Sequence, residues 1–165
     1  MIATTLCLSM ETTKVLASTE NGPYPTRRGV ILVTPDKYKN LIPTGHAAIV
    51  WSETQVVESL SDGVGMHSND WKKRKSKIYG VTVASTNTGQ DRTAAYWCKK
   101  QCGKKYNFNY LDTKTRKKFY CSHLVWASFL DSFKINLDTS AFGDAVHPME
   151  LVNSSKTVTV YTYTR

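Results

Sequence analysis

Five short runs of apolar and β-branched residues constrain this chain more than anything else in it: Gly29–Thr34 (GVILVT), His46–Trp51 (HAAIVW), Gln55–Leu60 (QVVESL), Ile78–Ala84 (IYGVTVA) and Thr157–Tyr163 (TVTVYTY). Each has the length and composition of a strand and is bounded by turn residues. A polar Ser-Glu-Thr turn joins the second run to the third, which predicts an antiparallel hairpin. Pro43, Thr44 and Gly45 break the chain just before His46. The stretch GVGMHSND that follows the third run reads as a loop carrying an exposed His67.

Two helices are expected beside the strands. Asn87 or Thr88 caps one from Gln90 to Gln101, which Gly103 ends, with Ala94, Cys98 and Cys102 at helical spacing on a buried face. The other runs from about Cys121 to Phe133, where Val125, Phe129 and Phe133 make an apolar ridge that Trp126 and Leu130 widen. At 165 residues the chain fits one domain with a core of its own. NGPYP marks a boundary, so residues 1–22 are expected as a leader remnant or flexible arm and 23–165 as the single domain. The start has small and apolar residues, but Glu11 and Lys14 interrupt them, which is not a clear secretion signal.

Four cysteines are too sparse for a disulfide framework, and neither C-x-x-C nor H-x-x-x-H spacing occurs, so no metal and no cofactor is expected. A net charge of +9 suits an anionic surrounding without choosing among them. The clusters Lys72, Lys73, Arg74, Lys75 and Lys114-Thr-Arg-Lys-Lys118 would hold the protein on an anionic wall polymer or membrane face, against the plainer reading of a solvated surface. Nucleic acid is a weaker partner, because no aromatics interleave with the basic clusters.

Cys121 opens its helix, in the stretch KKFYCSHLVW. A thiol reacts as thiolate, and a helix start favours negative charge through its unpaired N–H groups and dipole. His46, the first residue of a strand behind a turn, is the candidate base. With the hairpin centred on Ser52, Glu58 falls opposite His46, roughly 5 Å away between Cβ atoms, placed to orient the ring. A two-residue turn would bring Ser59 or Ser61 there instead, and Glu58 would then be an ordinary solvated carboxylate. His123 is roughly 200° round the helix from Cys121 and should face away. His147, in AVHPMEL, lines a pocket or packs at the surface.

The segments Gly103-Lys-Lys-Tyr106-Asn-Phe108 and Phe119-Tyr-Cys121-Ser-His-Leu-Val-Trp126 resemble the cysteine motif of NlpC-type cell-wall peptidases. There the histidine follows the cysteine; here PTGHAAIVW precedes it. That order resembles the circularly permuted branch of the papain-like superfamily, with the YycO/YiiX-like group and the lecithin retinol acyltransferase-like proteins, over most of the chain from Arg28 onward. The resemblance implies an α+β, circularly permuted papain-like (NlpC-type) fold, an antiparallel sheet packed with the helix that carries the cysteine. It also implies a thiol hydrolase of amide bonds, acting on cell-wall peptides or lipid amides and exported to the cell envelope. In that reading Cys121 is the nucleophile, His46 the base, Glu58 the third polar residue, and Tyr106, Tyr120 and His147 line the substrate. Lys105 in place of a proline, Tyr120 in place of an aspartate and His123 in place of a glycine or glutamine would reshape the groove. An acyltransferase would share the first half-reaction, and a silent relative or basic binding module would bind without cutting.

Overall fold

The computed structural model describes residues 18–37 and 45–165. The Pro43-Thr44 break and residues 1–17 of the expected leader lie outside them. All five expected strands form, each within two residues of its expected ends: β2 (Ile31–Thr34), β3 (His46–Val50), β4 (Gln55–Leu60), β6 (Lys77–Val83) and β9 (Thr157–Thr164). With β1 (Thr19–Asn21) and β5 (Gly63–Ser68) they build one seven-stranded sheet in the order β1-β9-β6-β2-β3-β4-β5. Every pairing in it is antiparallel. The runs ILVT and HAAIV are apolar except for Thr34 and His46 because β2 and β3 sit inside the sheet, where every residue of the two strands is buried.

Alternation along β3 divides the core in two. Ala47 and Ile49 belong to the larger cluster, with α2 (Thr88–Lys99) and α3 (Cys121–Phe133). Ala48 and Val50 belong to a smaller one with Val30, Leu32, Val56, Ile78 and Trp71 of the short α1 (Trp71–Arg74). The period of two thus lets one strand serve two packing layers. A two-residue parallel pair, β7 (Lys105–Tyr106) with β8 (Lys118–Phe119), leads into α3, and α4 (Pro148–Asn153) precedes β9.

Asn87 caps α2 as expected: its side chain accepts from Gln90 N at 2.9 Å while Gln90 Oε1 accepts from Asn87 N at 3.0 Å. The helix stops at Lys99, however, so Cys102 falls in the following turn and is exposed, whereas Cys98 is buried. Ala94 and Cys98 fit the expectation of a buried face, and Cys102 does not. Two further expectations are corrected. GVGMHSND is mainly strand, because Gly63 to Ser68 pair residue for residue with β4 despite the glycines that lower strand propensity. Thr19–Asn21, expected within the arm, pair with the open edge of β9, and Glu20 ties them down through Lys72 Nζ at 2.7 Å and the Tyr161 hydroxyl at 2.9 Å.

Candidate active site

The start of α3 is held from three sides. Ser59 Oγ on β4 donates to the Phe119 carbonyl at 2.7 Å. Ser122 Oγ donates to the Val146 carbonyl at 2.6 Å, and the Tyr120 hydroxyl accepts from Val146 N at 2.9 Å. Tyr120 is the N-cap residue, yet its side chain makes no capping bond, so the first-turn N–H groups around Cys121 are left without a side-chain cap. Cys121 itself is buried.

The imidazole and carboxylate come from the sheet. The β3–β4 register pairs Ile49 with Val57 and Val50 with Val56, centring the hairpin on Glu53 rather than on Ser52. Continuing it puts Ala48 opposite Glu58 and His46 one step along the diagonal, on the same face. On the other side Gly65 is paired with Glu58, and His67 is the diagonal neighbour, paired with Val56. Glu58 therefore has a small residue directly across from it on each side and a histidine at each diagonal. His46 Nε2 donates to Glu58 Oε2 at 2.6 Å, and His67 Nδ1 lies 3.3 Å from Glu58 Oε1. The second contact lacks hydrogen-bond alignment and acts as an electrostatic one. The His46 ring also stacks on Trp71, with centroids 5.5 Å apart.

Electrostatics bind these groups together. Burial works against a charged His46, but the charge of Cys121, the hydrogen bond to it, and Glu58 outweigh that cost and raise the imidazole pKa to about 9. Nε2 is engaged by Glu58, so a proton from the thiol would go to Nδ1. Burial likewise opposes the Glu58 carboxylate, yet the hydrogen bond from His46 and the charges of His46, His67 and Arg74 hold its pKa below the ordinary value. Lys75 is buried nearby; desolvation lowers its pKa, Arg74 adds to that, and Asp36, Glu58 and Cys121 oppose it.

The structure thus brings Cys121, His46 and Glu58 into one buried cluster and treats the other expected residues differently. Tyr106 is buried beside it, its hydroxyl pKa raised by burial, then by the Cys121 charge and a hydrogen bond with Tyr110. Tyr120 is buried, and its hydroxyl accepts from Val146 N, so it supports the start of α3. His147 is a helix cap: its Nδ1 accepts from Met149 N at 3.1 Å, its own N–H donates to Glu150 Oε2 at 2.7 Å, and its ring stacks on Phe142 at 4.0 Å. His123 is buried behind α3 and donates from Nε2 to the Thr113 carbonyl at 3.0 Å. Burial, then the Arg116 charge, lowers its pKa to about 4, which keeps it neutral. The basic quartet is not one face, since Lys72 pairs with Glu20, Arg74 with Asp70, and Lys75 is buried.

His67 and Lys75 are the residues that sequence reading missed. The signal for His67 was alternation across GVGMHS, which puts Gly65 and His67 on the face of Glu58. Among the described residues no three His, Cys, Asp or Glu side chains stand together in a way that could hold a metal ion. No described helix is long and apolar enough to cross a membrane. A thiol at an uncapped helix start, an imidazole and a carboxylate form a constellation suited to nucleophilic attack on a carbonyl.

Residues 33–161 match the family described as "Permuted papain-like amidase enzyme, YaeF/YiiX, C92 family". The chain is similar to a solved structure described as the metalloprotein yiiX from Escherichia coli O157:H7, with 15% identity, 82% of this chain and 96% of that chain covered, and a TM-score of 0.64. At that identity the likeness speaks for the fold. No curated protein matches.

Proposed function

The chain belongs to the permuted papain-like amidase family, a family of cysteine peptidases and amidases, and from that premise we propose that it cleaves amide bonds through Cys121, His46 and Glu58. The reading is supported by the buried hydrogen bond of 2.6 Å from His46 to Glu58 and by the charge of Cys121, close enough to the imidazole to raise its pKa.

His46 Nδ1 accepts the Cys121 proton and becomes imidazolium, stabilised by Glu58. The thiolate attacks the amide carbonyl carbon, and the uncapped N–H groups at the start of α3 receive the oxyanion. As the tetrahedral intermediate collapses, the C–N bond breaks and the imidazolium protonates the leaving amine, giving a thioester. Water then gives a proton to His46 and its oxygen to the acyl carbon, and the carboxylic acid leaves as the thiol is restored.

Cell-wall peptides and lipid amides are the substrate classes that the NlpC-like cysteine motif suggests, in an exported protein. The excess of cations, including Lys72, Lys73 and Arg74, would favour an anionic envelope surface. Alkylation of Cys121 by iodoacetamide, followed against pH in the wild type and in His46→Ala, tests the reading. A fast reaction well below pH 8 that the variant loses is the expected result. Equal rates in both proteins, rising only as for a free thiol, would sink it.

A further inference from the structure

The catalytic carboxylate has two oxygens, and the proposed reaction uses one. Oε2 accepts the hydrogen bond from His46 Nε2, while Oε1 faces Nδ1 of His67 at 3.3 Å. A buried carboxylate with one satisfied oxygen can rotate about its last bond, and each rotation would break the His46 contact. Something must hold it.

Three observations converge on His67. Its Nδ1 is buried and makes no hydrogen bond among the described residues, so the Glu58 oxygen is the group it answers to. Gly65 clears its path: a Cβ there would come 3.0 Å from His67 Cε1, so a larger residue would push the ring aside by a few tenths of an ångström from its place across the strand near Glu58. The rest of the ring, about a third exposed, borders an open cavity of about 310 Å³ lined by Glu58, Leu60, Ser68, Asp70 and Arg74. His67 thus reaches from solvent to the far side of the Glu58 carboxylate.

We propose that His67 is a positioning residue, which fixes the Glu58 carboxylate from its outer oxygen and so holds His46 in the orientation that activates Cys121. The inference rests on the proposed roles of Cys121, His46 and Glu58, and it needs no contact between His67 and substrate. Gly65 is part of the same device, because it supplies the space.

The test is a mutant cycle read through Cys121 alkylation by iodoacetamide, which needs no substrate. His67→Ala should slow the wild-type reaction by about five-fold, the range of a partly exposed electrostatic contact. His67→Asn, whose amide N–H dipole can point at Oε1 from nearly the position of Nδ1, should restore part of that loss. In a Glu58→Gln background His67→Ala should add no further loss, since both act on one oxygen pair. Gly65→Ala, which pushes the ring aside without removing it, should slow alkylation in the same direction by less than His67→Ala, with melting curves confirming that the variants remain folded. Full wild-type reactivity in His67→Ala, or a loss that adds to that of Glu58→Gln, overturns the inference. A wild type whose Cys121 shows no dependence on His46 overturns the underlying reading instead, so the two failures are distinct.

Discussion

Cys98 and Cys121 are both buried in the same core cluster, yet their surroundings make them different chemical groups. Cys98 sits in the last turns of α2 with its Sγ 3.7 Å from the Leu124 carbonyl, and burial pushes its pKa up to about 12. It is a small hydrophobe with a weak donor. Cys121 stands at the first position of α3, near a buried imidazole that a carboxylate holds. Burial alone raises the Cys98 thiol pKa, and the reactivity proposed for Cys121 would come from its helix start and the imidazole near it.

That contrast can be broken most completely at its centre. Cys121→Ala should abolish amide hydrolysis, and His46→Ala should lower it by about 10³-fold, both read as release of the amine product. Next, Glu58→Gln removes the charge that stabilises the imidazolium and should cost about 10²-fold in the same assay, with the fold intact by circular dichroism. Acidity and alkalinity probe the same pair through stability. The His46 pKa is raised from 6.5 to about 9, so its stabilising contribution is fully present below about pH 6.5 and lost as pH rises through about 9. The melting-temperature gap between wild type and His46→Ala should accordingly narrow over that window; a gap that widened with pH would contradict the assignment. The smallest effect is expected at the other thiol: Cys98→Ser should leave hydrolysis unchanged and cost stability of about 1 kcal/mol by urea titration. Mass mapping after brief iodoacetamide treatment should find label on Cys121 and none on Cys98.

Much of the architecture was legible because it is written in period two and period 3.6. GVILVT, HAAIVW and TVTVYTY announce strands by composition, and CSHLVWASFLDSF announces a helix whose observed limits are those expected. Strand β5 was not legible, because the glycines of GVGMHS mimic a loop while serving to clear space beside Glu58. Cys121 and His46 were visible from their places at element starts. His67 was hidden by the same glycines, and Lys75 by its neighbours Lys72 to Arg74, which make a buried cation look like one more surface charge. Tyr120 and His147 show the converse failure: an aromatic beside the nucleophile and a histidine before a proline attract functional readings, but hydrogen bonds to backbone N–H groups occupy both.

The turn between β3 and β4 closes through Trp51 N to the Gln55 carbonyl at 2.9 Å and Ser52 N to the same oxygen at 3.0 Å. No side chain of that turn belongs to the cluster around Cys121, yet its length decides which residue His46 can meet. One inserted residue would advance the pairing by a single step and turn Glu58 to the opposite face, into the layer of Ile49 and α3. The reading frame of this hairpin is therefore as much a part of the chemistry as the glutamate, and a homologue that differs here by one residue must find its third polar group elsewhere.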